Sequence, residues 1–321
     1  MKKLRKQIIT LFILTFVFSS LSACQSDPTD SHVNEKQTIK IGYLPITHAI
    51  PLYIEKEQIK SQSPFNIELI KFGSWPELMD ALNTGRIDGA SVLAELAIKA
   101  KEQGIDLKAI ALGHRDGNVI VTSKDIHNVK DLKGKSFAIP HKFSTHNILL
   151  YQMLKRDGFN YKDIKTVELP PAEMPAALSE GRISGYAVAE PFGALSVAMN
   201  KGKVLFQSKD LWKDSVCCVL VLRNDFIRHK RNTAQEFVNE YVKAGKKAEL
   251  KDSYTYKVAS KYMNVNKKVL DLSLKWISFQ DLKLDKKSYQ ELRKYMIETG
   301  MSKNPPSYTE FVDNSLIDKV K

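Results

Sequence analysis

The sequence has little of what marks several large classes of protein. It holds three cysteines in 321 residues, too few for the disulfide framework of a small secreted scaffold. It contains no Gly-x-Ser-x-Gly elbow, no phosphate-binding glycine loop and no His-Glu-x-x-His helix. It also lacks an arginine-rich stretch, although its formal net charge is +13. We therefore find no catalytic motif, and we interpret the positive charge as a solvated surface rather than a nucleic-acid site.

Residues 1–23 have the layout of a secretory signal peptide. Four of the first six residues are basic, and the apolar run that follows, 8–18, is shorter than the ~20 residues of a membrane-spanning helix. The next segment, Leu-Ser-Ala-Cys at 21–24, resembles the lipobox of bacterial lipoproteins. That resemblance implies a lipid on Cys24 and a place on the outer face of the cytoplasmic membrane; an ordinary signal peptide with an incidental cysteine is the alternative. The polar residues 24–37 predict a flexible tether.

The chain contains a partial internal repeat. Residues 75–89 and 171–185 share Ala, Leu, Gly, Arg, Ile and Gly in register, at a constant offset of 96 residues. Each copy predicts an amphipathic helix that ends at a glycine, then a short strand and a second helix. This period is too long for a solenoid, so it indicates two equivalent lobes.

The alternation of strands and helices predicts an α/β protein with largely parallel sheets. We expect lobe 1 to comprise residues 38–121 plus 219–321 and lobe 2 to comprise 122–218, with a ligand cleft at the carboxyl ends of the strands. The helices after Arg223 are expected to pack on lobe 1.

Two neighbouring thiols stand at the second predicted crossing between the lobes. A disulfide between Cys217 and Cys218 would strain the backbone. We expect two thiols on opposite faces of a strand.

Six short segments resemble the solute-binding lipoproteins of ABC importers, in the group for nitrate, sulfonate and bicarbonate and a relative that binds thiamin-pyrimidine precursors. These segments are 42–48, 73–75, 113–118, 144–147, 170–171 and 185–192. The resemblance implies a two-lobed, type II periplasmic-binding-protein-like fold that closes on a ligand in its cleft. It also implies an ABC permease and its ATPase as partners, with the chain itself a monomer that requires no cofactor.

Three residues match positions that contact the anion in the nitrate and bicarbonate branch: Trp75, Asn118 and His146. A core role for Trp75 and a turn role for Asn118 are the alternatives. His146 falls in the first turn of a predicted helix, where free N–H groups favour anions. Glu190, at the end of a predicted strand, would repel an anion unless it is protonated, neutralised by a metal or bonded to a ligand donor.

The chain departs from the nitrate pattern at two points. His48 stands where an acidic residue is usual, and Val216 or Cys217 stands where a lysine reaches the anion. The predicted ligand-binding residues are His48, Trp75, His114, Asn118, His146, Glu190 and Cys217. A metal site is the alternative, because imidazole and carboxylate suit zinc, although no local spacing supports one. Its candidate ligands are His48, His114, His146 and Glu190.

The sequence thus predicts the extracytoplasmic ligand-binding component of an ABC importer rather than an enzyme. The expected solute is a nitrate- or bicarbonate-like anion, a sulfonate or a pyrimidine precursor. A metal-binding receptor, with zinc as its metal, is the alternative. A pyrimidine-synthase-like enzyme, a secreted zinc hydrolase and a surface adhesin are less favoured.

Overall fold

The computed structural model describes residues 36–320. The predicted signal peptide, Cys24 and nearly all of the predicted tether lie outside the described residues, so lipidation stays a prediction. Within 36–320, no helix is long and apolar enough to cross a membrane.

The first sheet has five strands: β1 (Gln37–Tyr43), β2 (Phe65–Lys71), β3 (Gly89–Leu93), β4 (Leu107–Leu112) and β11 (Cys218–Arg223). Their spatial order is β2-β1-β3-β11-β4. The strands β1, β2 and β3 are parallel, whereas β11 runs antiparallel to both of its neighbours. In the sequence, β11 follows all five strands of the second sheet, so the chain returns to the first sheet after leaving the second.

The second sheet also has five strands: β6 (Asn118–Thr122), β7 (Ser136–Ile139), β8 (Lys165–Glu168), β9 (Gly185–Ala189) and β10 (Lys203–Gln207). Read from its β8 edge, the order is β8-β7-β9-β6-β10, with β6 antiparallel to β9 and β10. This is the plan of the first sheet, with β6 in the place of β11. A two-stranded ladder pairs β5 (Arg115–Asp116) with β12 (Ile277–Ser278).

This topology confirms the predicted α/β class. The division into lobes at the predicted residues stays a proposal. Strand β6 belongs entirely to the second sheet, so a division between the sheets falls before Asn118 rather than after residue 121. Cys218 likewise begins a strand of the first sheet.

The helices are α1 (Ile50–Gln58), α2 (Trp75–Asn83), α3 (Ala94–Glu102), α4 (Thr145–Arg156), α5 (Met174–Ser179), α6 (Phe192–Ala198), α7 (Ser208–Leu211), α8 (Asn224–His229), α9 (Arg231–Glu249), α10 (Ser253–Met263), α11 (Lys267–Lys275), α12 (Lys286–Glu298) and α13 (Tyr308–Phe311). The repeat helices α2 and α5 end alike. Gly85 and Gly181 have φ values of +75° and +72°, and the next N–H groups, of Arg86 and Arg182, each donate back to a helix carbonyl over 2.9 Å. Glycine closes both helices because it enters this left-handed region at no steric cost.

The helices after Arg223 bridge the two halves, so the expectation that they pack on lobe 1 is wrong for α11. Helix α9 packs on α1 of the first half, but α11 packs against α6, which connects β9 and β10 of the second sheet. The reason is that two faces of α11 contact different parts of the protein. Leu270 and Leu274 pack in a cluster with α1 and α10, whereas Ser273 bonds to Glu190.

Candidate functional site

The predicted site residues lie at one edge of each sheet, where the strands end. Cys218 opens β11 opposite Leu93, the last residue of β3. Asn118 opens β6 opposite Ala189, the last residue of β9. Because both antiparallel strands begin where the parallel strands end, the two edges carry equivalent positions.

The two edges touch each other. The backbone N–H and the hydroxyl of Thr47, just after β1, donate to the carbonyl of Glu190, just after β9, over 2.9 and 3.0 Å. His48 follows in a short 3₁₀ turn, Thr47–Ala49, that leads into α1. The site is therefore assembled from the ends of strands in both halves.

Two histidines and two cysteines meet at this junction. The ligating atoms of His48, His114, Cys217 and Cys218 all lie within 4.8 Å of one another, and all four side chains are buried. His48 Nδ1 lies 3.4 Å from Cys218 Sγ and 3.8 Å from Cys217 Sγ, and the two sulfurs are 3.9 Å apart. The two imidazole rings are stacked, with centroids 3.4 Å apart.

Both thiols point into the same cluster, so the expectation that they occupy opposite faces of a strand is wrong. β11 begins at Cys218, so Cys217 precedes the strand and is not bound by its alternation. Both are free cysteines. Cys218 is not among the site residues that the sequence predicts. The only indication of its role is that its neighbour, Cys217, stands at or next to the position where the nitrate pattern has an anion-binding lysine.

The hydrogen bonds of His48 fix its tautomer. Its Nε2 lies 3.1 Å from the carbonyl oxygen of Gly117, and a carbonyl can only accept, so Nε2 carries the proton. In the neutral ring Nδ1, which faces the two sulfurs, then keeps its lone pair. A ring nitrogen presented in this way is a metal ligand or a proton acceptor.

The surroundings shift the pKa values of the cluster in opposite directions. Burial lowers the pKa of His114 to about 4, with a further lowering by His48. Burial opposes ionisation of Cys217, but its contacts with Cys218, His114 and His48 outweigh it and hold the pKa of this thiol well below its usual range. Burial and the neighbouring Cys217 raise the pKa of Cys218. One thiol is thus prepared to ionise first.

His146 lies beside the cluster but outside its four-atom group. It sits in the first turn of α4, as predicted, behind the N-cap Ser144. Among the described residues neither of its ring nitrogens has a hydrogen-bond partner, although the side chain is only 1% exposed. Burial lowers its pKa to about 4. His146 is therefore a neutral imidazole with both nitrogens available.

Glu190 is held away from the histidines by its own partners. Its Oε2 contacts the N–H of Ala194 over 3.0 Å and the hydroxyl of Ser273 over 2.8 Å. Burial raises the pKa of this carboxyl to about 8. The structure thus brings His48 and His114 together with two cysteines, and it does not bring Glu190 or His146 into the same group of candidate metal ligands.

Two further predicted residues are buried with an unpaired polar atom. Asn118 places its Oδ1 3.6 Å from Cys217 Sγ, while its Nδ2 has no partner within residues 36–320. Trp75 opens α2 and packs in the core of the first half, with its Nε1 equally unpaired in the described chain. Their roles as ligand contacts stay predictions.

Sequence reasoning missed a buried carboxyl, Glu95, at the start of α3. Its Oε1 lies 2.7 Å from the hydroxyl of Thr145, which also lies 2.9 Å from the carbonyl of Val216. That hydroxyl has one proton for two acceptors, so the carboxyl supplies the second when it is protonated. Burial, with a contribution from Cys217, raises the pKa of Glu95 to about 8, which agrees with a neutral acid beside the cluster.

This fold is that of the solute-binding components of ABC import systems. A crystal structure of such a ligand-binding component from Staphylococcus aureus, with zinc bound, superposes with a TM-score of 0.85 and 42% sequence identity, covering 89% of this chain and 99% of that one. The sequence profile of the NMT1-like family matches residues 32–263. The chain belongs to this family.

The curated relatives are named for transport. The nitrate import ATP-binding protein NrtC of Synechocystis sp. (strain ATCC 27184 / PCC 6803 / Kazusa) is 28% identical over 215 residues, 60% of this chain and 32% of that protein. The nitrate/nitrite binding protein NrtA of Nostoc sp. (strain PCC 7120 / SAG 25.82 / UTEX 2576) is 28% identical over 264 residues, 72% of this chain and 59% of that protein. The chain therefore spans 32% and 59% of the length of these two relatives.

Proposed function

We propose that this protein is the extracytoplasmic ligand-binding component of an ABC import system. It captures a small solute where the two sheets meet and delivers it to a membrane permease driven by an ATPase. Its fold and its relatives support this role, and the lipobox-like segment at Cys24 supports a lipid anchor on the outer face of the cytoplasmic membrane. A protein of this kind binds its solute and releases it unchanged.

The carrying observation is a set of buried polar atoms without partners at the junction of the sheets. Within the described chain these are both ring nitrogens of His146, Nδ1 of His114, Nδ2 of Asn118 and Oε1 of Glu190. An unsatisfied buried polar group costs about 1–3 kcal/mol, and such groups call for a structural reason. A bound solute that pairs with them supplies that reason.

The charges at the junction bear on the solute. No lysine or arginine is among the buried side chains of residues 36–320, so no buried cation is available to neutralise nitrate or another bare anion. Neutral imidazoles and thiols suit a neutral solute or a metal cation instead. Zinc is the second candidate solute, supported by the four-residue cluster and by the zinc-bound relative from Staphylococcus aureus.

Small-angle X-ray scattering of the mature protein with a panel of solutes tests the importer role. The panel comprises nitrate, bicarbonate, an alkanesulfonate, an aminopyrimidine and Zn²⁺. We expect one of these solutes to change the radius of gyration, because hinged closure on a ligand moves the two halves. Mass spectrometry of the released solute should find it chemically unchanged. Chemical conversion of the solute, or the absence of binding and compaction with every member, would contradict the proposal.

A further inference from the structure

We propose that His48, His114, Cys217 and Cys218 together bind one Zn²⁺ ion through two thiolates and two imidazoles, and that this ion is the transported solute. The second part rests on the proposed importer function, whereas the first rests on the geometry of the four side chains alone.

The spacing of the donor atoms matches a tetrahedral zinc site. Zinc–sulfur bonds of about 2.3 Å and zinc–nitrogen bonds of about 2.0–2.1 Å, at tetrahedral angles, place two sulfurs about 3.8 Å apart and a sulfur and a nitrogen about 3.5 Å apart. The Cys217 and Cys218 sulfurs are 3.9 Å apart. His48 Nδ1 lies 3.4 and 3.8 Å from them. Three of the four donors thus already have the spacing of a zinc site, and the ligating nitrogen of His114 lies within 4.8 Å of each of them.

The second contact of His48 is the one that zinc ligands use. The ring donates Nε2–H to the Gly117 carbonyl over 3.1 Å and turns Nδ1 toward the sulfurs. Metal-bound histidines almost always donate their other N–H to a carbonyl or carboxylate, which fixes the tautomer and the ring orientation. The backbone just before β6 thus orients a ligand that belongs to the first half.

Asn118 provides a complementary contact for a thiolate. A half-turn of its amide would bring the unpaired Nδ2 to the position that Oδ1 holds, 3.6 Å from Cys217 Sγ. The contact would then run from an N–H donor to a sulfur acceptor, as a thiolate requires. A buried, partnerless donor beside the sulfur is what the zinc-bound form would use.

The charge of the site balances when both cysteines ionise. The +2 charge of Zn²⁺ matches the charges of two thiolates, and two neutral imidazoles add no charge. The bound centre is neutral, which suits a buried site without lysine or arginine among its buried side chains. Sulfur and imidazole donors also select zinc over Mg²⁺, Ca²⁺ and Mn²⁺, which prefer oxygen.

The position of the cluster favours a transported ion over a structural one. Its four donors come from segments at the edge of the first sheet, and Gly117 and Asn118 at the start of β6 close over them. Parting the two edges would remove the contacts of His48 with Gly117 and of Cys217 with Asn118. Release of the ion is thereby linked to opening.

Competition titration with a chromophoric zinc chelator tests the site in the mature protein. We expect Cys217→Ser, Cys218→Ser and His48→Ala each to weaken zinc binding at least a hundredfold. The matched control His229→Ala changes an exposed histidine and should leave the affinity unchanged within about threefold. Circular dichroism of each variant checks that it folds.

Proton release gives a second measurement on the unaltered protein. Calorimetry in two buffers of different ionisation enthalpy should show at least one proton released per zinc, and a tenfold excess of Mg²⁺ or Ca²⁺ should not compete. Unchanged affinity in folded cysteine variants, or zinc binding with no proton release, would overturn the assigned ligands.

If zinc does not bind while another solute of the panel drives compaction, the metal site is wrong and the importer role stands. If zinc binds at this site without any compaction, the ion is not the solute.

Discussion

In the first sheet the antiparallel strand beside β3 begins at Cys218, and in the second sheet the antiparallel strand beside β9 begins at Asn118. The two strands hold the same place in sheets of the same order. One therefore presents a sulfur and the other an amide at equivalent positions. The duplicated backbone thus supplies the location of the site, while single side chains at the strand ends supply its chemistry.

The two halves resemble each other in the buried carboxyl groups that follow β3 and β9. Glu95 lies just after β3 and Glu190 just after β9. Each is fully buried and has its pKa raised to about 8 by burial. Each also contacts a hydroxyl that has a carbonyl as its other partner: Thr145 with Val216, and Ser273 with Val269. Both halves thus keep a neutral acid beside the strand end.

Replacing Cys218 of the first sheet by asparagine, the residue at the equivalent position of the second sheet, should have the largest effect on zinc affinity. We expect Cys218→Asn to weaken zinc binding by about a thousandfold, because it removes a thiolate from the proposed four-ligand centre. Chelator competition measures the loss. His229→Ala, which changes an exposed histidine, serves as the control. Equal affinities of Cys218→Asn and wild-type protein would remove sulfur from the site.

The buried carboxyl of the second half should give the protein a pH-dependent stability. Because the pKa of Glu190 is raised from 4.5 to about 8, the folded protein holds a proton that the unfolded chain has lost between these values. Its contribution is fully present below about pH 4.5 and is lost as the pH rises to about 8, on the order of 1.4 kcal/mol per pH unit.

Urea denaturation of wild-type protein and Glu190→Gln at several pH values measures this loss. The amide mimics the protonated acid, so the variant should gain stability relative to wild type as the pH rises from 5 to 8. Titration of Glu95 is common to both proteins and cancels. A difference that does not change with pH would show that Glu190 is ionised in the folded protein.

Removing the amide of the second sheet should weaken zinc binding less than removing the thiol. Asn118→Ala deletes a contact to a ligand rather than a ligand, and losses of this kind are typically 10–100-fold. The same chelator assay measures it, with His229→Ala as the control. A loss as large as that of Cys218→Asn would make Asn118 a direct ligand and contradict the assignment.

Substituting the two repeat glycines, Gly85 and Gly181, should have the smallest effects, and the two should lower the free energy of unfolding by similar amounts. Gly85→Ala and Gly181→Ala each place a methyl group at a positive φ, and neither meets an atom within 3.4 Å. Each should lower the free energy of unfolding by about 1 kcal/mol through backbone strain alone, as measured by urea denaturation. A loss several times larger at one position only would show that the two helix ends are not equivalent.

The sequence predicted the parts of the fold that are coded locally. The shared Gly-Arg-Ile pattern marked two helix ends and the strands after them, and the structure confirms both. Helix α11 could not be placed, because its polar Ser273 gains its partner, Glu190, only when distant segments meet. The order of the elements predicts the α/β class. It does not predict that β6 and β11 each insert as an antiparallel strand, beside β9 in the second sheet and beside β3 in the first.

The composition of the cluster was beyond the sequence for a similar reason. His48 and His114 are 66 residues apart and stack only because β1 and β4 end at one edge. Cys217 was predicted from its place in a motif, but Cys218 was not, because alternation along a strand sends neighbours to opposite faces. The position of Glu190 in the sequence does not reveal that its carboxyl group bonds to Ala194 and Ser273 instead of joining the histidines.

Zinc K-edge X-ray absorption of the zinc-loaded mature protein identifies directly the atoms that bind the ion. We expect two sulfur neighbours at about 2.3 Å and two nitrogen neighbours at about 2.0–2.1 Å. A zinc shell made only of nitrogen and oxygen would contradict it.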